Sequence, residues 1–230
     1  MLTRDQIESF KVSGFLIIRD FFSKEEIAYM RSVVFDKSKQ DDLHDNLAAI
    51  PTPLTHAKMS ELYADLNSQI CWSGDTQLVI RRTTDIPWSG ARASHIDFPI
   101  SRPLRTLANY VFYLNDVYEH GGAFMYWPKS HKVAWDYFSE NPKDFLSQGK
   151  LSQDQVFSIL LKKMEVAPVE FTASSGDIMI WNSLLFHSGS INNQSEPRVA
   201  IFGRWGKSLL ANESVYDFSK SMWDYWNFVI

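Results

Sequence analysis

His95 and Asp97 stand two residues apart in the run Ser94-His95-Ile96-Asp97-Phe98, and His187 follows ninety residues further on. Residues two apart on a strand share one face, so an imidazole and a carboxylate at this spacing can reach one ion. A His-x-Asp pair alone arises readily by chance in a chain with six histidines. A second histidine converging on it changes its weight. Two neutral imidazoles and one carboxylate on one face of an octahedron leave three positions open, the arrangement that suits Fe(II) in oxygen chemistry. Zinc is the rival metal, because the same donors suit a catalytic zinc site, although the helical His-Glu-x-x-His pattern of many zinc proteases is absent. Arg198, eleven residues after His187, adds a guanidinium that can grip a carboxylate through two bonds. Open metal positions with such an anchor nearby are what a 2-oxo acid requires, its keto-acid end on the metal and its distal carboxylate on the arginine.

Other residues are weaker candidates. Gln77 and Arg82 lie on the strand before the loop that leads to His95, and either can assist a cosubstrate. Strand alternation puts them on opposite faces, so at most one does. Arg81, Arg82, Arg92, Arg102 and Arg105 flank the His-x-Asp segment. They read first as a solvated face and second as a site for an anionic substrate or a second contact to the cosubstrate carboxylate. Ile86-Pro87-Trp88-Ser89-Gly90 is placed to act as a lid that keeps water from the metal. Ser130 and His131 are expected to end a strand and orient a turn, and His120 to belong to turn chemistry. His44 and His56 carry no functional case.

These side chains must be positioned by a scaffold, and the chain divides into two textures. Up to about residue 74 the pattern is helical. Thr3 with Gln6 and Ser23 with Glu26 form capping boxes, Gly14 closes the first helix before the apolar strand Phe15-Leu16-Ile17-Ile18, and 37–46 reads as loop. Met59, Leu62, Tyr63, Leu66 and Ile70 mark a third helix. From about 75 to 205 short β-rich runs dominate: 77–84, 94–98, 107–114, 123–127, 166–172, 177–181, 184–188 and 199–205. A helical insertion interrupts them at about 134–164, and 206–230 forms a C-terminal tail rich in aromatics, expected to pack within the chain. Eight such strands close economically as two sheets. The expected fold is mainly β with flanking helices around a double-stranded β-helix core, the jelly roll or cupin-like architecture, in a single domain over 1–230.

Composition narrows the function class. Of 230 residues 45% are hydrophobic and 22% charged, which is enough apolar surface for a packed core. A net charge of −4 without any basic run argues against nucleic acid as a partner. The one cysteine removes zinc fingers and disulfide scaffolds together. No apolar run is long enough for a membrane span and the first residues lack a secretory profile, so the expectation is a cytoplasmic monomer or homodimer acting on a small molecule.

The sequence resembles the phytanoyl-CoA dioxygenase family of Fe(II)- and 2-oxoglutarate-dependent oxygenases. The matching segments are Ser94 to Asp97, Gly121-Gly122-Ala123-Phe124-Met125-Tyr126-Trp127-Pro128-Lys129-Ser130-His131-Lys132, Gly176-Asp177-Ile178-Met179-Ile180-Trp181, His187 to Asn192, and Arg198. The resemblance implies that His95, Asp97 and His187 bind Fe(II) and that Arg198 binds the distal carboxylate of 2-oxoglutarate. It also brings in Ser188 as a cosubstrate contact, from the small residues after the second histidine. The implied reaction consumes O2, releases succinate and CO2, and usually hydroxylates a C–H bond. Halogenating relatives replace the carboxylate, so Asp97 argues against that outcome. Two other readings stand beside this one: another jelly-roll metal enzyme, such as a cupin-type dioxygenase or zinc hydrolase, and a binding module without catalysis.

Overall fold

The computed structural model describes residues 2–38, 52–66, 71–97, 104–145, 149–208, 217–226 and 228. Helix α1 (Arg4–Ser13) opens with a reciprocal box in which Thr3 Oγ1 accepts from Gln6 N–H and Gln6 Oε1 accepts from Thr3 N–H. It closes on Gly14, whose φ of 85° lets its N–H reach the Phe10 carbonyl. Strand β1 (Phe15–Ile18) follows directly. Helix α2 (Lys24–Ser38) starts with the same chemistry at Ser23 and Glu26. Helix α3 (Thr52–Leu66) buries Met59, Leu62, Tyr63 and Leu66 as its spacing predicts, while Ile70 and most of 37–46 lie outside the described residues.

The β region supplies β2 (Cys71–Arg81), β3 (Arg92–His95), β4 (Leu104–Tyr113), β5 (Met125–Tyr126), β6 (Val169–Glu170), β7 (Ile178–Asn182), β8 (His187–Gly189) and β9 (Arg198–Ser208). They form a five-stranded sheet in the order β1-β7-β4-β9-β2 and a four-stranded sheet in the order β3-β8-β5-β6. Every pairing is antiparallel. The expected double-stranded β-helix is therefore present, with β1 as a ninth strand at the edge of the larger sheet. Several minor-sheet runs are shorter than their apolar stretches suggested: 166–172 contributes only two strand residues, and 94–98 ends as a strand at His95.

Alternation explains how one sheet holds two cores. Leu78 and Ile80 of β2, Tyr110 and Phe112 of β4, and Val199 and Ile201 of β9 face the N-terminal helices and pack with Phe10, Met30, Met59 and Tyr63. The opposite face carries Val111, Tyr113, Met179 and Ala200, which meet Ala123, Phe124 and Phe171 from the second sheet. Strands buried on both sides read as continuous apolar runs, as Ile178-Met179-Ile180-Trp181 does. Tyr110 lies directly across from Gly203, and a Cβ on that glycine would come within 2.2 Å of Tyr110 Cζ.

The insertion forms α4 (Ser130–Glu140), α5 (Pro142–Phe145) and α6 (Gln153–Lys162), packed against Leu184 and Phe186 beside the smaller sheet. Ser130 and His131 do not end a strand as expected: they open α4, and Ser130 Oγ accepts from Phe186 N–H. The tail folds back onto the chain. Trp226 meets Phe10 edge-on with 5.2 Å between ring centres, and Phe218 lies 4.8 Å from the Trp135 ring. No described helix is long and apolar enough to cross a membrane.

Two outcomes follow from this packing. Gly203→Ala should destabilise the protein by about 1–3 kcal/mol, because Tyr110 is fully buried and cannot yield without disturbing its neighbours; denaturant unfolding measures this. His131 is fully buried beside the Lys11 carbonyl, and burial holds its pKa down to about 4 from 6.5. The unfolded chain takes up a proton below about 6.5 where the folded one does not, so stability falls as pH drops from 6.5 toward 4. Urea midpoints across that range should change less steeply in His131→Gln than in the parent.

Candidate functional site

His95 ends β3 and His187 begins β8, and the two residues are direct partners in the ladder. A register shift between Arg92 and His95 creates this pairing, and Ala93 adopts a left-handed φ of 52° within it. The turned Ala93 carbonyl lies 2.7 Å from His95 Nδ1, and the Leu185 carbonyl lies 2.9 Å from His187 Nδ1. A carbonyl can only accept, so each Nδ1 carries the proton and each Nε2 presents a lone pair. The rings stand with centres 4.4 Å apart.

Asp97 completes the group from beyond the strand end, where its N–H reaches the Ser183 carbonyl at 3.3 Å. Its Oδ2 lies 3.6 Å from His187 Nε2 and accepts from Asn109 Nδ2 at 2.7 Å. One potential ligand atom from each of His95, Asp97 and His187 falls within 4.8 Å of the others. His187 is buried against Phe124 and Trp181. That burial pushes its pKa down to about 4, against the opposing pull of Asp97, so the ring is neutral and able to donate to a metal at neutral pH. The donor set and geometry therefore fit a divalent metal with open positions.

An inner cavity of about 180 Å³ contains all three side chains together with Arg198. Arg198 begins β9, is 2% exposed, and has no hydrogen-bond partner for Nε or one terminal nitrogen. Burial lowers its pKa to about 10, which leaves it cationic at pH 7. The guanidinium lies near the Tyr113 and Phe202 rings, 5.9 and 5.8 Å from their centres. Its unused donors border the cavity, and a planar carboxylate would match their geometry.

The remaining sequence candidates separate. Gln77, Val79 and Arg81 line the inner cavity from one face of β2, whereas Arg82 points away and borders outer space instead. Of Gln77 and Arg82 only Gln77 lines the inner cavity, and Arg81, one of the flanking arginines, lines it too. Ser188 borders the cavity, but its hydroxyl donates to the Arg92 and Gly189 carbonyls. Trp88 stacks on His120 at 4.2 Å, and Asn193 Nδ2 donates to the Thr84 and Ile86 carbonyls, so the loop of 86–90 is fastened to neighbouring turns. Arg102 lies outside the described residues. Two contributors escaped the sequence reading: Asn109, and Arg204, whose guanidinium lies 3.5 Å from Asp97 Oδ1. Both left a signal, a lone amide in an apolar strand and an arginine in phase with Arg198 and Phe202.

Many solved structures share this fold, three of which illustrate it. HygX from Streptomyces hygroscopicus, with nickel and 2-oxoglutarate bound, matches with a TM-score of 0.61 at 19% identity over 90% of this chain and 88% of that one. The carbocyclase SnoK from nogalamycin biosynthesis gives 0.62 at 13% identity over 90% and 84%. The epimerase SnoN from the same biosynthesis gives 0.63 at 13% over 88% and 82%. No curated protein matches the sequence significantly. The phytanoyl-CoA dioxygenase (PhyH) family matches residues 31–200, most of the chain, and the protein belongs to that family.

Proposed function

We propose that the protein is an Fe(II)- and 2-oxoglutarate-dependent oxygenase that hydroxylates an unactivated C–H bond of a small metabolite, with release of succinate and CO2. The observation that carries this reading is the sharing of one small cavity by a three-donor cluster and a buried guanidinium with unused donors. A hydrolytic zinc site needs no such anchor, and a non-catalytic module gives no reason to bury an unpaired cation, which costs several kcal/mol. Family membership and the fold shared with HygX, described with iron and with 2-oxoglutarate, point the same way.

In this reading His95 and His187 hold Fe(II) through Nε2 and Asp97 holds it through a carboxylate oxygen. Arg198 holds the distal carboxylate of 2-oxoglutarate, with Gln77 and Arg81 bordering the same space. When bound, the iron would supply O2 activation and the cosubstrate two of the four electrons that reduce O2, the other two coming from the oxidised C–H bond. The protein's part is positional. Asn109 fixes the Asp97 carboxylate, the two carbonyls fix the imidazole tautomers, and Phe124, Trp181 and Phe202 keep the inner cavity apolar between its charged ends. Asp97 occupies the position that halide needs, which disfavours halogenation.

Anaerobic addition of Fe(II) and then 2-oxoglutarate should produce the weak visible charge-transfer band of a chelated 2-oxo acid. Arg198→Ala should retain iron while losing 2-oxoglutarate affinity by roughly thirty-fold or more, the equivalent of about 2 kcal/mol for an unpaired buried charge. Unchanged cosubstrate affinity would overturn the assignment. His187→Ala should show no band, and Asp97→Ala should lose iron affinity or turnover; full 2-oxoglutarate consumption in Asp97→Ala would show that the ligand set is wrong.

A further inference from the structure

A second cavity, of about 920 Å³, adjoins the inner one and shares Arg81, His95 and Gly189 with it. Its wall carries three arginines, Arg81, Arg82 and Arg92, and no carboxylate among the described residues that line it. None of the three makes an ion pair with a described residue. This concentration of one sign runs against the chain as a whole, whose net charge is −4. A solvated arginine face is normally interspersed with acids and convex; here the cations line a recess that ends at a candidate metal ligand.

Arg81 is also held in place. Its stem lies against Gly122, where a Cβ would come within 2.8 Å of Arg81 Cγ, and its head lies over Gly189, where a Cβ would come within 3.1 Å of a terminal nitrogen. Gly122 has a φ of 72°, and Asn192 Nδ2 donates to the Arg81 carbonyl at 3.0 Å. Two positions without side chains thus admit the guanidinium to the junction of the cavities. Arg82 and Arg92 stand in the outer part, Arg92 from the strand that ends in His95.

We propose that the outer cavity binds an anionic small-molecule substrate, one bearing a carboxylate or phosphate group, through Arg82 and Arg92 with Arg81 at the inner end. The anion is gripped away from the cluster, and the rest of the molecule is directed past Arg81 toward His95. Arg198 plays no part in this site, because it is buried in the inner cavity and assigned there to the cosubstrate. The proposal deepens the oxygenase reading, and it rests on that reading only in calling the bound anion a substrate.

The test uses the protein loaded with Fe(II) and saturating 2-oxoglutarate under anaerobic conditions, so that Arg198 is already engaged. Calorimetric titration compares glycerol 3-phosphate with glycerol, and tricarballylate with its uncharged triamide. At least one anion should bind ten-fold or more tightly than its neutral partner, with affinity falling as salt is raised. Arg82→Gln and Arg92→Gln should each weaken that binding several-fold while 2-oxoglutarate affinity stays within two-fold of the parent. Equal binding of charged and neutral partners, or anion affinity unchanged in both variants, overturns the proposal. If 2-oxoglutarate fails to bind the parent while the anions are still discriminated, the oxygenase reading falls and the anion site stands.

Discussion

The pairing of His95 with His187 across β3 and β8 is the constraint around which the other features of the site are arranged. Opposed residues in an antiparallel ladder have their side chains on one face, so a single register brings together two imidazoles separated by most of the β region. A one-residue slip of β8 would turn His187 outward and put Ser188 in its place. The shift between Arg92 and His95 and the left-handed Ala93 are the local distortions that allow this register. Asp97 joins the same group from two residues beyond the strand end.

The interior between the sheets is accordingly divided. One end is filled by Val111, Met179 and Phe171, and the other holds charged and polar groups whose desolvation the apolar end must offset. Asp97 is relieved by Asn109 and by the nearby Arg204, while Arg198 is left with unused donors. Such a cluster is destabilising in isolation. It persists because both sheets and the helical layers bury large aromatic side chains around it.

Much of this was legible in the sequence because it is encoded locally. Capping boxes at Thr3 and Ser23 and the glycine stop at Gly14 each depend on a few neighbouring residues, and each appears where the pattern put it, whereas the run expected at 77–84 is a strand over Cys71–Arg81. The site's spacing also showed, since His95 ends β3 while His187 and Arg198 begin β8 and β9. What failed to show depends on register and on contacts between distant segments. Arg81 and Arg82 are adjacent and chemically identical, so only the phase of β2 against β9 decides which reaches the inner cavity. Ser188 looks available until the Arg92 carbonyl arrives from another strand. Ser130 and His131 read as a turn because the helix they start has no side-chain cap and begins after Lys129 in a left-handed conformation.

The order β1-β7-β4-β9-β2 interleaves early and late parts of the chain. No strand of this sheet pairs with another of the first three it contains in sequence; β1, β2 and β4 all find their neighbours in β7 or β9. During synthesis the first 170 or so residues therefore leave the ribosome with apolar strands that have nothing to pair with. The larger sheet and the β3–β8 register can therefore be completed only after β7, β8 and β9 have been made. Of the three candidate ligands, His95 and Asp97 are made first and His187 only ninety residues later, so the full set can form only once β8 is in place.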